Sequence, residues 1–287
     1  MVDQAILILN PGAMGSAVGS RLVGKGHVVY CVRDGRGEKT IARAEAAGMQ
    51  ACESLSEGLS RTSIVLSVCP PHAALDVARQ VAQHEFSGRY VDANAVSPET
   101  SAQVGSLVEA AGAQFTDGGI IGPPPVNGRR ARLYLSGAGA SELAELLDAE
   151  SLSAVALQGS GTAASALKMC FAGWNKARTA LLLNLRALSA HHGVDEALLR
   201  EWGAMEPELL RLFEPGSGQS VMGNAAKAWR WSGEMTEIAK TFEQAGLPGG
   251  FHHGAADVFE RLDRFKDVSE VPGLEELTSQ LRQRPAV

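Results

Sequence analysis

Short aliphatic runs alternate with stretches of helical periodicity through the first half of the chain. Residues 5–9, 27–32, 63–68, 90–92 and 114–117 read as buried strands, each bounded by Gly, Pro, Asn or charged residues. Residues 16–23, 38–47, 73–82 and 98–111 carry the helical pattern between them, and 133–136 and 154–157 read as two further strands. The stretch from 158 to 192 opens Gln158-Gly159-Ser160-Gly161-Thr162 and then has no glycine or proline except Gly173, so it reads as one helix of about 45 Å. Beyond it only helices are expected, over 195–204, 207–213, 221–231, 234–245, 254–265 and 274–282.

Alternating strands and helices imply a mostly parallel sheet covered on both faces. The predicted fold is an α/β Rossmann N-terminal domain over residues 1–158, a long inter-domain helix over 159–192, and an all-α domain over 193–287. That last domain is expected to serve substrate binding and dimerisation, because a small helical domain completes its core well against a second copy. Trp229, Trp231, Phe242, Phe251 and Phe259 are its expected core or interface residues.

Ligands of such sheets bind beyond the carboxyl ends of the strands. After the first strand comes Asn10-Pro11-Gly12-Ala13-Met14-Gly15, an incomplete G-x-G-x-x-G with Asn10 in place of the first glycine. Asn tolerates the left-handed turn; Gly12, Ala13 and Met14 would meet a pyrophosphate at the helix start, and Gly15 would let helix and strand pack closely. After the second strand, Arg33, Asp34 and Arg36 stand where an acidic residue selects NAD and an arginine accommodates the 2′-phosphate of NADP; NADP is favoured over NAD, and a solvated turn is the plain alternative. Val68, Cys69 and Pro70 follow the third run, and the two prolines suggest a rigid wall without a helix start. Ser97 is placed to cap the helix that Pro98 opens, and Asn94 is placed either to meet nicotinamide and substrate or to hold its own turn. The stretch from Asp117 to Pro125 reads as a stiff glycine- and proline-rich loop in which Gly118, Gly119, Ile120 and Ile121 face substrate and backbone N–H groups hold a carboxylate, with ordinary loop punctuation as the alternative. On the long helix, Lys168, Asn175, Thr179 and Arg186 fall near one line, either a solvated seam or, for Lys168 and Asn175, part of a site with Trp174 beside them.

Composition narrows the class. The chain has 287 residues, 45% of them hydrophobic, and a formal net charge of −6. An acidic chain without an extended basic run argues against nucleic acid as partner, and no apolar run suits a membrane span or a signal peptide, so a cytoplasmic protein is expected. Cys31, Cys52, Cys69 and Cys170 lack C-x-x-C spacing, which favours structural thiols over a metal site or disulfides.

With these motifs placed, the chain resembles the β-hydroxyacid dehydrogenase family, related to 6-phosphogluconate dehydrogenase and the imine reductases, in the subgroup with a DUF1932-type C-terminal domain. Gly12-Ala13-Met14-Gly15, Arg33, the Asp92–Pro98 stretch and Gly159-Ser160-Gly161 leading to Lys168 carry the resemblance. It implies hydride transfer between a nicotinamide and the hydroxyl or carbonyl carbon of a small carboxylate-bearing substrate, with Lys168 exchanging the proton, Asn175 assisting, and a homodimer formed through the helical domain. The departures are Ile121 at the family's substrate-loop serine, Pro123 at its last glycine, Ala172 at its asparagine, and no recognisable Lys–Asp pair around Glu234. These favour an apolar substituent on the substrate. Two alternatives are an imine reductase, against which Lys168 speaks, and a non-catalytic NADP-binding interaction protein.

Overall fold

The computed structural model describes residues 4–214, 220–266, 268 and 270–283. It forms two compact units, Met1–Met169 and Cys170–Val287.

The first unit is built on a single sheet of eight strands: β1 (Ile6–Leu9), β2 (Val29–Val32), β3 (Gln50–Cys52), β4 (Ile64–Ser67), β5 (Arg89–Asp92), β6 (Gln114–Ile121), β7 (Ala131–Ser136) and β8 (Leu152–Ala156). Their spatial order is β3-β2-β1-β4-β5-β6-β7-β8, and every neighbouring pair is parallel except β6 and β7. Helices α1 (Ala13–Gly24), α2 (Glu38–Ala46), α3 (Leu55–Ser60), α4 (Ala74–Ala82), α5 (Pro98–Ala110) and α6 (Ala140–Leu147) cover it. β1 shows why the run Ile-Leu-Ile-Leu makes a central strand: Ile6 and Ile8 enter the core shared with α1 and α6, while Leu7 and Leu9 enter the core shared with α4 and α5. A parallel strand buried on both faces needs no polar alternation.

Several expectations change. β3, α3 and α6 add to the predicted elements. The supposed loop from Asp117 begins as strand, since β6 runs on to Ile121 and pairs antiparallel with β7 through Gly118, Gly119 and Ile120. Pro70 and Pro71 do not block a helix: Pro71 opens a 3-10 turn, Pro71–Ala73, that leads into α4, where a missing N–H costs nothing. α1 starts at Ala13 rather than at Ser16. Residues 158–162 are a turn, with Gly159 at φ 134, and the long helix α7 spans Ala163–His191.

The second unit holds most of α7, then α8 (Asp195–Met205), α9 (Pro207–Leu210), α10 (Ser232–Gln244), α11 (Gly250–Glu260) and α12 (Leu274–Leu281). The expected helix over 221–231 is a 3-10 segment, Met222–Arg230. Met235, Ile238, Phe259 and Leu262 are fully buried, with the Trp231 ring edge-on to Phe259 at 5.3 Å. Phe251, by contrast, is more than half exposed. No described helix is long and apolar enough to cross a membrane.

Candidate active site

Strand register defines the carboxyl edge of the sheet. Leu9, Ser67, Asp92, Asp117 and Ser136 pair successively across β1, β4, β5, β6 and β7. The last four are polar and buried, so each must find partners inside the fold. Asn94 supplies several of them: its Nδ2 donates to Ser67 Oγ at 3.1 Å and to Asp92 Oδ1, and its Oδ1 accepts from the Cys69 N–H at 2.5 Å. Its side chain is thus spent on clamping the segments that follow β4 and β5, the turn-holding role among the two expected. Burial, the largest influence, pushes the Asp92 carboxyl up to about 7; the Asn94 N–H opposes this and nearby Asp117 adds to it. Burial likewise pushes the Cys69 thiol up to about 12, which leaves it inert as a nucleophile.

The order of strands reverses between β1 and β4, and the segments after these strands flank the crevice where such sheets take dinucleotides. Asn10 adopts the left-handed conformation there, at φ 60. A Cβ on Gly15 would come within 2.9 Å of the Asn10 carbonyl oxygen, so only glycine lets α1 pack this closely. On Gly12 the nearest atom to an added Cβ is 3.9 Å away, and no side chain caps the helix that follows. The first-turn amides of α1 are therefore left for an anion, as a pyrophosphate requires. Val68 and Cys69 stand across the crevice, the Val68 N–H bonding the Leu9 carbonyl at 3.3 Å.

Beside this crevice lies a cavity of about 90 Å³ lined by Asn10, Val32, Asp34, Arg36, Leu55 and Val77 among others. Arg36 Nε is buried without a partner. Arg33 instead makes long ion pairs with Glu45 and Glu53, at 3.9 and 3.8 Å, on the exposed side. Of the two expected arginines, Arg36 lines the cavity. Leu55 and Val77 were not among the expected cofactor residues; Ser54-x-x-Glu57, whose Ser54 Oγ accepts from the Glu57 N–H, was the available signal for the helix carrying Leu55.

At the other side of the edge, alternation along β6 puts Asp117, Gly119 and Ile121 on one face and Gly118 and Ile120 on the opposite one. Ile120 packs into the core with Leu133, and its side chain is unavailable to a ligand there. Gly118 and Gly119 are strand residues rather than a carboxylate-holding loop. Their lack of Cβ serves close packing: added Cβ atoms would come within 2.9 Å of the Asp92 carbonyl oxygen and 2.8 Å of the Ala164 carbonyl oxygen, respectively. On Gly119 that atom would also come within 3.1 Å of Lys168 Cβ. Lys168 is half-buried in α7 and stands beside a strand residue two places beyond the paired row.

In the second unit, Asn175 is half-buried and its Nδ2 donates to the Phe171 carbonyl at 3.1 Å, within α7. Trp174 is 67% exposed, with the Arg178 guanidinium over its ring at 5.3 Å. Thr179 bonds the Asn175 carbonyl, while Arg186 forms a two-pronged pair with Asp195 at 2.6 and 2.8 Å and so belongs to packing. Glu234 forms an ion pair with Lys176 of α7, a partner that no local spacing pattern reveals.

Residues 5–95 match the family model described as NADP oxidoreductase coenzyme F420-dependent, and residues 190–262 match that of a domain of unknown function, DUF1932. An uncharacterized 28.5 kDa protein of Methanothermus fervidus is 29% identical over 229 residues, which span 80% of this chain and 87% of that protein. Among solved structures, a conserved protein of unknown function, itself described as structurally similar to 3-hydroxyacid dehydrogenases, is 26% identical with a TM-score of 0.67, covering 91% of this chain and 97% of its own. Mycobacterium tuberculosis 3-hydroxyisobutyrate dehydrogenase, solved with L-serine, shares the fold at 17% identity and a TM-score of 0.72, covering 98% of this chain and 99% of its own. The switch-point crevice and the uncapped α1 thus lie within the stretch that matches the oxidoreductase family model, in a fold shared with a 3-hydroxyisobutyrate dehydrogenase. The two partial family matches fall one in each unit.

Proposed function

We propose that this protein moves a hydride between NADP and the hydroxyl or carbonyl carbon of a small carboxylate-bearing substrate with an apolar substituent. The observation that carries this reading is Lys168 set against Gly119, just past the carboxyl edge of the sheet whose switch point suits a dinucleotide. The nicotinamide, when bound, supplies or accepts the hydride. Lys168 gives or takes the proton at the substrate oxygen, as a positioned amine does in general acid–base catalysis. Gly12, Ala13 and Met14 hold the pyrophosphate by backbone N–H groups, with Val68, Cys69 and Pro70 walling the opposite side. Arg36, with its buried unpartnered Nε, is the residue we assign to the 2′-phosphate, and Asp34 to the ribose. Ile121 shares the face of Gly119 and, itself buried, puts an apolar side chain two residues beyond it, which is the feature we read as favouring an apolar substituent.

The test is NADPH oxidation with short 2- and 3-keto acids against cyclic imines, with NADH as comparison. The reading expects keto acids bearing an apolar branch to be reduced, NADPH to be preferred, and imines to be poor acceptors. Imine turnover exceeding keto-acid turnover would replace it with an imine reductase, and binding of NADPH without any turnover would leave a cofactor-binding protein.

The partner we assign to α7 is a second copy of the chain. Phe171, Trp174, Leu181 and Leu188 recur at spacings of three, seven and seven residues on that helix and are 42–67% exposed, a larger apolar stripe than a lone surface needs. Sedimentation of the purified protein at micromolar concentration should give a dimer that Leu181→Glu converts to monomer; a monomer in both cases contradicts the assignment.

A further inference from the structure

Two N–H groups in the first turn of α7, those of Ala164 and Ser165, have no acceptor within their own helix. Both are met from the sheet. The Ala164 N–H donates to Ser136 Oγ at 2.9 Å, and the Ser165 N–H donates to Asp117 Oδ2 at 2.8 Å. Ser136 Oγ in turn donates to Asp117 Oδ2 at 2.9 Å, and Ser165 Oγ donates to Asp117 Oδ1 at 2.5 Å. One fully buried carboxylate therefore caps the helix directly and through a serine, and a negative group at a helix N-terminus also meets the positive end of its dipole. Ser101 Oγ, from α5, donates to the same Asp117 Oδ1 at 2.6 Å but touches no α7 amide.

Two residues further along β6, on the same face, Gly119 leaves no room between the strand and the Ala164 carbonyl. The carboxylate pulls the first turn of α7 onto β6 and the glycine sets how near it comes. Lys168 is the next turn of that helix.

We propose that Asp117 is a positioning residue: acting through Ser136 and Ser165, it fixes the start of α7 on β6 and so sets where the Lys168 amine stands. This rests on the role given to Lys168 above. It assigns a task to a carboxylate that makes no contact with substrate or cofactor in that reading.

The experiment uses the full-length protein with NADPH and its best keto-acid acceptor. Ser136→Ala and Ser165→Ala should each lower kcat by about tenfold or more, since small misplacements of a catalytic group cost rates of that order. The NADPH Kd should change less than about twofold, and Ser165→Thr, which keeps the hydroxyl, should restore kcat. Ser101→Ala is the control: it removes a bond to the same carboxylate without touching α7, so it should leave kcat unchanged while lowering Tm. In a Lys168→Ala background, Ser136→Ala should cost nothing further. Unchanged kcat in Ser136→Ala and Ser165→Ala, or an equal loss in Ser101→Ala, overturns the proposal. If Lys168→Ala itself keeps full turnover, the functional reading falls and amide exchange decides the positioning claim. Faster exchange confined to residues 164–168 in Ser136→Ala supports it, and unchanged exchange overturns it.

Discussion

Asp92 and Asp117 are paired in register on adjacent strands and both are buried, yet their partners differ. Asp117 accepts from three serine hydroxyls and a backbone N–H, whereas Asp92 Oδ2 has no partner. A buried acid raised to about 7, against 3.8 as a free group, binds its proton more tightly folded than unfolded. The stability it contributes is full below about pH 4 and is lost as pH rises through about 7. Asp92→Asn removes that titration. Thermal unfolding followed by circular dichroism should show the Tm of the natural protein falling between about pH 4 and pH 7 more steeply than that of the variant. Parallel profiles would contradict the assignment. At this scale the sequence was only half legible. Asn10, Gly12 and Gly15 declare their turn because backbone conformation is a local property. The bonds from Asn94 to Ser67 and Cys69 join residues some 25 positions apart, so no spacing rule exposes them. The serines around Asp117 were hidden for the same reason, being ordinary helix and strand residues until the fold gathers them.

Among the elements, the aliphatic strands β1 and β4 were readable because a strand buried on both faces is a nearly continuous apolar run. β3 was not, since its three residues lie at the sheet edge with Gln50 and Ala51 exposed. β6 misleads in the other direction. Gly118 and Gly119 signal a loop by propensity, but here the missing Cβ atoms let β5 and α7 approach, and tertiary packing overrides local preference. The long helix was expected from residue 158, yet Gly159, with its positive φ, and Gly161 keep residues 158–162 as a turn and α7 begins at Ala163. The polar line on that helix divides as its surroundings dictate. Lys168 lies at the sheet edge in the first unit, while Arg186, in the second, ties α7 to the first turn of α8 through Asp195. Burial alone would raise the Asp195 carboxyl, but the bonds from Arg186 and Ser189 hold it below the usual range.

Across the whole molecule, one unit carries a sheet with a switch-point crevice, and the other has helices and no strand among its described residues. The crevice, the cavity bearing Arg36, and Lys168 beside Gly119 all belong to the first unit. In the proposed function, cofactor binding and proton exchange are therefore separable: removing the lysine amine leaves every residue assigned to NADP in place. The most direct test is Lys168→Ala, measured for NADPH affinity by fluorescence titration and for single-turnover NADPH oxidation with a reducible keto acid. The account predicts an unchanged Kd and a hydride-transfer rate at least about 100-fold lower, the contribution expected of a positioned acid. An unchanged rate at unchanged affinity would contradict it.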